Sequence, residues 1–285
     1  MAEKNTEHGE EELKLSGKGQ ATRLGRQHEL GGGPLGIFGL EAQKHDWSIG
    51  QVSELVYKAL RKTFPKMTFR YRPTLSKQEI NDKLSSLDSK LGQVLFVKNS
   101  SIKPDGGIIE VEDKRKHWRV ILVGESKHQG NDIEKILAGV KQGKEKDADF
   151  MVAGNAIERV HKNILEMRNY MLDELHFPYV VFLQGSNFAT TTFVIKALDG
   201  RELRIAHDAG ALNRIDRVTA SNYGLEINKN YCRNVFIPCA HGKQMLQVPS
   251  LYFQCEAWST KAMSDILWEI VNTSLEVLRE SSSIE

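Results

Sequence analysis

Two short segments of this chain carry residue types from which phosphodiester chemistry can be built. Lys103-Pro104-Asp105-Gly106-Gly107 is followed, about twenty residues later, by Gly124-Glu125-Ser126-Lys127. Mg²⁺ takes few protein oxygens, keeps several waters and completes its octahedron with substrate phosphate, so two carboxylates are enough for a site. In a strand, residues i and i+2 share a face; Glu125 and Lys127 therefore point the same way, while Ser126 turns its side chain aside and still offers its carbonyl. Asp105, on a loop entering the neighbouring strand, can close on the same ion. Lys127 is then placed to orient an attacking water and to offset charge that builds on the phosphoryl group. The plainer alternative is a Pro-Asp-Gly turn and a surface Glu-x-Lys ion pair, both common. What favours a metal-dependent nuclease is the combination: β pattern between the halves, and an apolar strand that delivers the second.

The elements that must position these residues are legible on both sides. Residues 107–112 alternate strictly, which sets Ile109 and Val111 on one face and predicts that Glu110 and Glu112 face solvent. Trp118 to Val123 is a nearly continuous apolar run, the pattern of a central strand covered on both sides, and Asp113 to Lys116 is a polar hairpin turn. Gln93 to Lys98 alternates loosely and is expected to be a further strand. Upstream, Val52, Leu55, Val56, Ala59 and Leu60 repeat at helical spacing, with Ser48 as N-cap and Phe64-Pro65 as the stop. Phe69 and Tyr71 read as extended, and Ser76 caps a short helix through Ile80 and Leu84. Arg61, Lys62, Lys66, Arg70, Arg72 and Lys77 form a basic run, a solvated face or the border of a nucleic-acid cleft.

Downstream, Ile133, Ile136, Leu137 and Val140 suggest a helix, followed by a charged loop from Lys141 to Asp147. A long amphipathic helix starts at Asn155, runs through Leu172 and is stopped by Pro178. Tyr179 to Gln184, Thr191 to Ile195, Val235 to Ile237 and Leu251 to Phe253 read as strands, with a turn at Asp199-Gly200. Arg214, Arg217 and Asn222 lie near an expected helix start, and a last amphipathic helix covers residues 260–278. Strands interleaved with helices predict an α/β fold: a mixed central β-sheet flanked by helices, in one domain over residues 34–285. Residues 1–33 are rich in Glu, Lys, Gly and Gln and end in Gly31-Gly32-Gly33-Pro34, which predicts a flexible N-terminal arm. Lys14, Lys18, Arg23 and Arg26 would let such an arm order along phosphates; a solvated tail is the simpler alternative.

Bulk properties bound the function without choosing it. The 285 residues are 40% hydrophobic, enough for a sizeable core, and a net charge of +2 neither demands nor excludes a nucleic-acid partner. Three cysteines (Cys232, Cys239 and Cys255) and no apolar signal segment at the N-terminus point to a reducing cytoplasm. A zinc site from those cysteines with His241 would lack the paired Cys-x-x-Cys spacing, so ordinary thiols are expected. No apolar run approaches the ~18 residues of a membrane span, so no membrane partner is expected. Besides a site-specific Mg²⁺ endonuclease, the same residues allow a structure-specific repair or junction nuclease. They also allow a DNA-binding protein whose acidic cluster has no chemistry.

Several segments resemble the EcoRI-type type II restriction endonucleases of the PD-(D/E)xK superfamily. They are Gly36-Ile37-Phe38-Gly39, Asn99 to Gly107, Lys127-His128-Gln129-Gly130, Ala153 to Arg159, His176-Phe177-Pro178-Tyr179-Val180, and Leu212-Asn213-Arg214 with Asp216-Arg217. The resemblance runs from about residue 35 to the last helix and is close enough to imply an isoschizomer. It implies a homodimer in the bacterial cytoplasm that binds the palindrome GAATTC in double-stranded DNA and cuts after G with Mg²⁺, leaving overhanging 5′-phosphate ends. A cognate DNA methyltransferase is implied as a functional companion without stable binding. By the resemblance Asp105, Glu125 and Lys127 are catalytic, and Asp105, Glu125 and the Ser126 carbonyl hold the metal. Met151, Ala153, Asn155, Ala156 and Arg159 would read bases, Glu158 would orient the arginines, and Arg214 and Arg217 would support recognition. The chemistry is compatible: Asn pairs bidentately with adenine, Arg with guanine, and small apolar groups meet pyrimidine edges. Two residues depart from the family pattern, Val152 and Ser126, each where an alanine is expected. Val152 adds bulk in the recognition segment, whereas Ser126 leaves the needed carbonyl in place.

Overall fold

The structure, a computed structural model, describes residues 40–94, 97–128, 154–184, 193–196, 202–205, 226–254 and 258–284, with backbone only for 40–47, 128, 154–158, 193–196 and 203–205. Its centre is a five-stranded mixed sheet ordered β1-β4-β5-β6-β11. These are β1 (Phe69–Arg72), β4 (Ile108–Glu112), β5 (Trp118–His128), β6 (Tyr179–Gln184) and β11 (Ser250–Gln254). β4 runs antiparallel to both β1 and β5, whereas β5, β6 and β11 are parallel. Smaller pairs join β2 (Leu75–Ser76) to β3 (Ser101–Ile102), β7 (Phe193–Lys196) to β8 (Glu202–Ile205), and β9 (Val235–Cys239) to β10 (Gly242–Leu246).

Helices cover both faces of the sheet. α1 (Leu40–Thr63) and α4 (Thr260–Glu280) pack on one face, burying Ile49, Val52, Val56, Met263, Leu267 and Ile270 against Ile109, Val111, Ile121 and Val180. α2 (Lys77–Leu87) and α3 (Gly154–Tyr170) cover the other with Ile80, Leu84, Val160, Ile164 and Met167 against Ile108, Val120, Val123, Tyr179 and Val181. Each such side chain, removed from water, favours folding by ~1.5–3 kcal/mol. The two layers explain why the middles of β5 and β6 are apolar on both sides, with polar residues confined to the strand ends. Ser76 caps α2, as expected, and the structure adds a capping box with Glu79.

β5 contains a bulge that the sequence does not announce. Ile109 faces Leu122 across the ladder, but Glu110 faces Val120, so Ile121 is the extra residue. Val120 and Val123 therefore lie on the α2/α3 side, while Ile121 and Leu122 both lie on the α1/α4 side. Beyond the bulge the alternation is shifted by one residue, and Glu125 and Lys127 inherit the face of Val123.

Four expectations are corrected. Ser48 lies inside α1, which begins at Leu40, because Glu41-Ala42-Gln43-Lys44 are good helix formers and no Gly or Pro interrupts them before Gly50. The described residues of 93–98 form no strand, and Val94 and Val97 are 93% and 70% exposed. Helix α3 ends at Tyr170 in a turn, well before Pro178, leaving Leu172 exposed. Glu110 is 1% exposed rather than solvent-facing, because Arg70 donates to it at 2.5 Å and Arg72 stands 3.7 Å away. That pairing also removes Arg70 and Arg72 from a purely solvated basic run, as do the bonds of Arg72 to Glu79 and of Lys77 to Glu166. The expected arm, the 133–140 helix, the 141–147 loop, the 199–200 turn and Asn222 lie outside the described residues.

Candidate active site

The site is built where β4 and β5 diverge. After the β4–β5 ladder ends, Gly106 N–H still donates to the Gly124 carbonyl at 2.9 Å and Gly124 N–H to the Gly107 carbonyl at 3.2 Å. These bonds hold the Pro104–Gly107 turn against β5. Gly107 has φ +70°, and a Cβ there would lie 2.5 Å from the Tyr71 hydroxyl, so the turn needs glycine on both conformational and steric grounds. Tyr71 in turn donates to the Gly106 carbonyl at 3.3 Å. The residue preceding these glycines, Asp105, is thereby brought to the end of β5.

Asp105, Glu125 and Lys127 converge, as their spacing predicts. Lys127 Nζ lies 2.8 Å from Glu125 Oε1 and 2.8 Å from the Ser126 carbonyl oxygen, and it also bonds Asp105 Oδ2. The Ser126 N–H donates to Asp105 Oδ2 at 3.3 Å, so the aspartate takes the place of a ladder acceptor. One ammonium thus gathers the three oxygens expected to hold a metal. They are hard donors, two of them anionic, which is the chemistry that suits Mg²⁺ and is poor for softer ions. The side chain of Ser126 is buried on the other face, as expected for the middle residue of the trio.

Glu125 is 1% exposed, and its environment is unusual for a carboxylate. Burial pushes its pKa up to about 7; the Lys127 ammonium pulls against this and the Asp105 charge adds to it. Its second oxygen, Oε2, accepts from the Tyr179 hydroxyl at 2.9 Å and from Asn163 Nδ2 at 3.1 Å. Neither residue stands out in the sequence as part of a site. The available signals are weak: a tyrosine in an otherwise apolar buried strand needs a partner for its hydroxyl, and Asn163 follows Arg159 by four residues on one helix face.

The structure places the other expected residues unequally. Arg159 is exposed on the first turns of α3, and the backbone of Asn155, Ala156 and Glu158 is helical. Met151, Ala153, Arg214 and Arg217 lie outside the described residues, as does Val152. Cys232 is buried, its Sγ 3.4 Å from Ser274 Oγ, and burial pushes its thiol up to about 12; Cys239 is exposed. Among the described residues no helix is long and apolar enough to cross a membrane.

Comparison with known proteins identifies the family. The model of the family described as restriction endonuclease EcoRI matches residues 31–284. The type II restriction enzyme RsrI of Cereibacter sphaeroides is 58% identical over 269 residues, covering 94% of this chain and 97% of that protein. The type II restriction enzyme EcoRI of Escherichia coli is 52% identical over 266 residues, covering 93% of this chain and 96% of its own length.

Proposed function

The chain belongs to the restriction endonuclease EcoRI family and is a type II restriction enzyme, and from that premise we propose that it cuts double-stranded DNA at GAATTC, after G, in a Mg²⁺-dependent hydrolysis. The observation that carries the proposal is the meeting of Asp105, Glu125 and the Ser126 carbonyl around one cation, the Lys127 ammonium. Those three oxygens would hold Mg²⁺. Bound there, the ion would supply positive charge beside the scissile phosphate. Lys127 then serves the other side of the reaction: its ammonium donates to the attacking water, fixes its approach and offsets charge developing on the phosphoryl oxygens. Asp105 keeps its hold on the β5 backbone through the Ser126 amide, so the metal-holding oxygens stay in register with the strand.

Met151, Ala153, Asn155, Ala156 and Arg159 read the bases, Glu158 orients the arginines, and Arg214 and Arg217 support them. A palindromic target is matched most simply by a twofold homodimer. The protein acts in the bacterial cytoplasm, where a cognate methyltransferase that does not bind it stably protects host sites. The unit that does this is the single α/β domain of residues 34–285, with residues 1–33 as a flexible arm.

The test is a plasmid carrying one GAATTC site. With Mg²⁺ it is converted to a single linear product whose 5′ ends carry phosphate; with EDTA it stays intact. Cutting that ignored the site, or that survived chelation, would overturn the proposal.

A further inference from the structure

Glu125 is gripped by two donors that the cutting chemistry itself does not require. Oε2 accepts from the Tyr179 hydroxyl at 2.9 Å and from Asn163 Nδ2 at 3.1 Å, whereas Oε1 turns to Lys127 at 2.8 Å. The terminal torsion of a glutamate is broad and nearly twofold, so an untethered carboxylate would exchange its oxygens and spread over many poses. Here the two oxygens are made different: one is committed inward and the other faces the site. The inward donors are themselves fixed. Tyr179 has no exposure, sits on the strand adjacent to β5 and stacks on Phe177 with centroids 5.8 Å apart. Asn163 comes from α3, so two separate elements meet on one oxygen.

We infer that Tyr179 and Asn163 are positioning residues, which hold Glu125 with Oε1 outward and thereby set how tightly the site binds its divalent cation. The inference rests on the Mg²⁺-nuclease reading above. An incoming ion then meets an oxygen already aimed, and no side-chain freedom has to be given up at the moment of binding. With the Tyr179 hydroxyl removed, Oε2 keeps only Asn163, and the carboxylate can turn towards either Lys127 or the interior.

Tyr179→Phe tests this while keeping the ring and its stack on Phe177. Mn²⁺ is titrated into the protein bound to a GAATTC duplex with a non-hydrolysable scissile linkage, and free Mn²⁺ is counted by electron paramagnetic resonance. The expected result is a five- to thirtyfold weaker Mn²⁺ affinity, with metal-free DNA affinity unchanged within about twofold. In cleavage of ordinary duplex, the half-saturating metal concentration should rise by a similar factor while the rate at saturating metal largely recovers. Asn163→Ala should move the same readouts in the same direction, and it decides the matter if Tyr179→Phe does not fold. Unchanged Mn²⁺ affinity, or a lowered plateau at unchanged affinity, would overturn the inference. Failure of the parent to bind Mn²⁺, or binding that survives Glu125→Ala, would instead overturn the metal reading on which it rests.

Discussion

Gly106 and Gly124 touch backbone to backbone: a Cβ added to Gly106 would stand 3.0 Å from the Gly124 Cα, and one added to Gly124 would stand 3.3 Å from the Gly106 Cα. The contact brings the loop of Asp105 and the strand of Glu125 closer than any pair of side-chain-bearing residues would allow. Behind it lies α1, whose Ser53 Oγ would be 2.9 Å from the Gly106 Cβ and whose Ile49 Cγ1 would be 3.0 Å from it. Helix α1 is therefore the backing plate of the Asp105 loop, far from it in sequence though close in space.

Gly106→Ala should lower stability by ~1–3 kcal/mol through overpacking and weaken cleavage by displacing Asp105. Ser53→Ala should behave differently. Its Oγ is buried without a hydrogen-bond partner among the described residues, so removing it should be neutral or slightly stabilising, and it should soften the effect of Gly106→Ala when the two are combined. Thermal denaturation of the single and double variants checks both, and additive losses would show that Ser53 does not share the crowded space.

Glu125→Gln should abolish cleavage and yet stabilise the metal-free protein at alkaline pH. Burial raises the folded-state pKa of Glu125 from 4.5 to about 7, despite Lys127 and helped by Asp105. The folded protein then holds a proton that the unfolded chain has lost between those values, so stability is greatest below the unfolded pKa and falls as pH rises through about 7. The glutamine variant escapes that loss. Its advantage in EDTA should reach at most ~3 kcal/mol near pH 8 and vanish below about pH 5. A melting series across that range measures it; a variant less stable than the parent near pH 8 would mean that the ion pair with Lys127 outweighs the cost of burial.

Asn155→Ala and Arg159→Ala should each lose discrimination of ~1–3 kcal/mol between GAATTC and a site with one altered base pair, the value of a bidentate base contact. Competition binding without metal provides the comparison. An unchanged ratio for either variant would remove that residue from base reading.

Deleting residues 1–28 should weaken DNA binding and flatten its dependence on salt, because each phosphate-contacting Lys or Arg that is lost reduces the slope of log affinity against log salt by ~0.9. A salt titration of the shortened protein is sufficient. An unaltered slope would assign these residues to a solvated tail.

The meeting of Asp105, Glu125 and Lys127 was legible because strand alternation is a strict rule that needs only local sequence: Glu125 and Lys127 two apart, with Asp105 in a Pro-Asp-Gly turn. The supports of that trio were not. Tyr179 and Asn163 reach Glu125 across 54 and 38 residues, and nothing local to either residue announces the meeting. Glu110 misled for the same reason, since its alternation is that of a solvent-facing acid and only the distant placement of Arg70 and Arg72 makes its burial tolerable. The start of α1 was missed because a plausible capping serine competes poorly with a continuous run of helix formers.

The bulge at Ile121 acts on β5 as a frameshift acts on a message. Upstream and downstream of it the strand alternates in two different phases, and only the downstream phase delivers Glu125 and Lys127 to the side where Asn163 and Tyr179 wait. A chain lacking one residue between Trp118 and Val123 would keep its apolar run and every side chain of the Asp105, Glu125 and Lys127 trio. It would nevertheless turn both charged groups into the layer built by α1 and α4. The count of residues in that stretch, which no single side chain records, is thus as much a part of the proposed cutting apparatus as the carboxylates themselves.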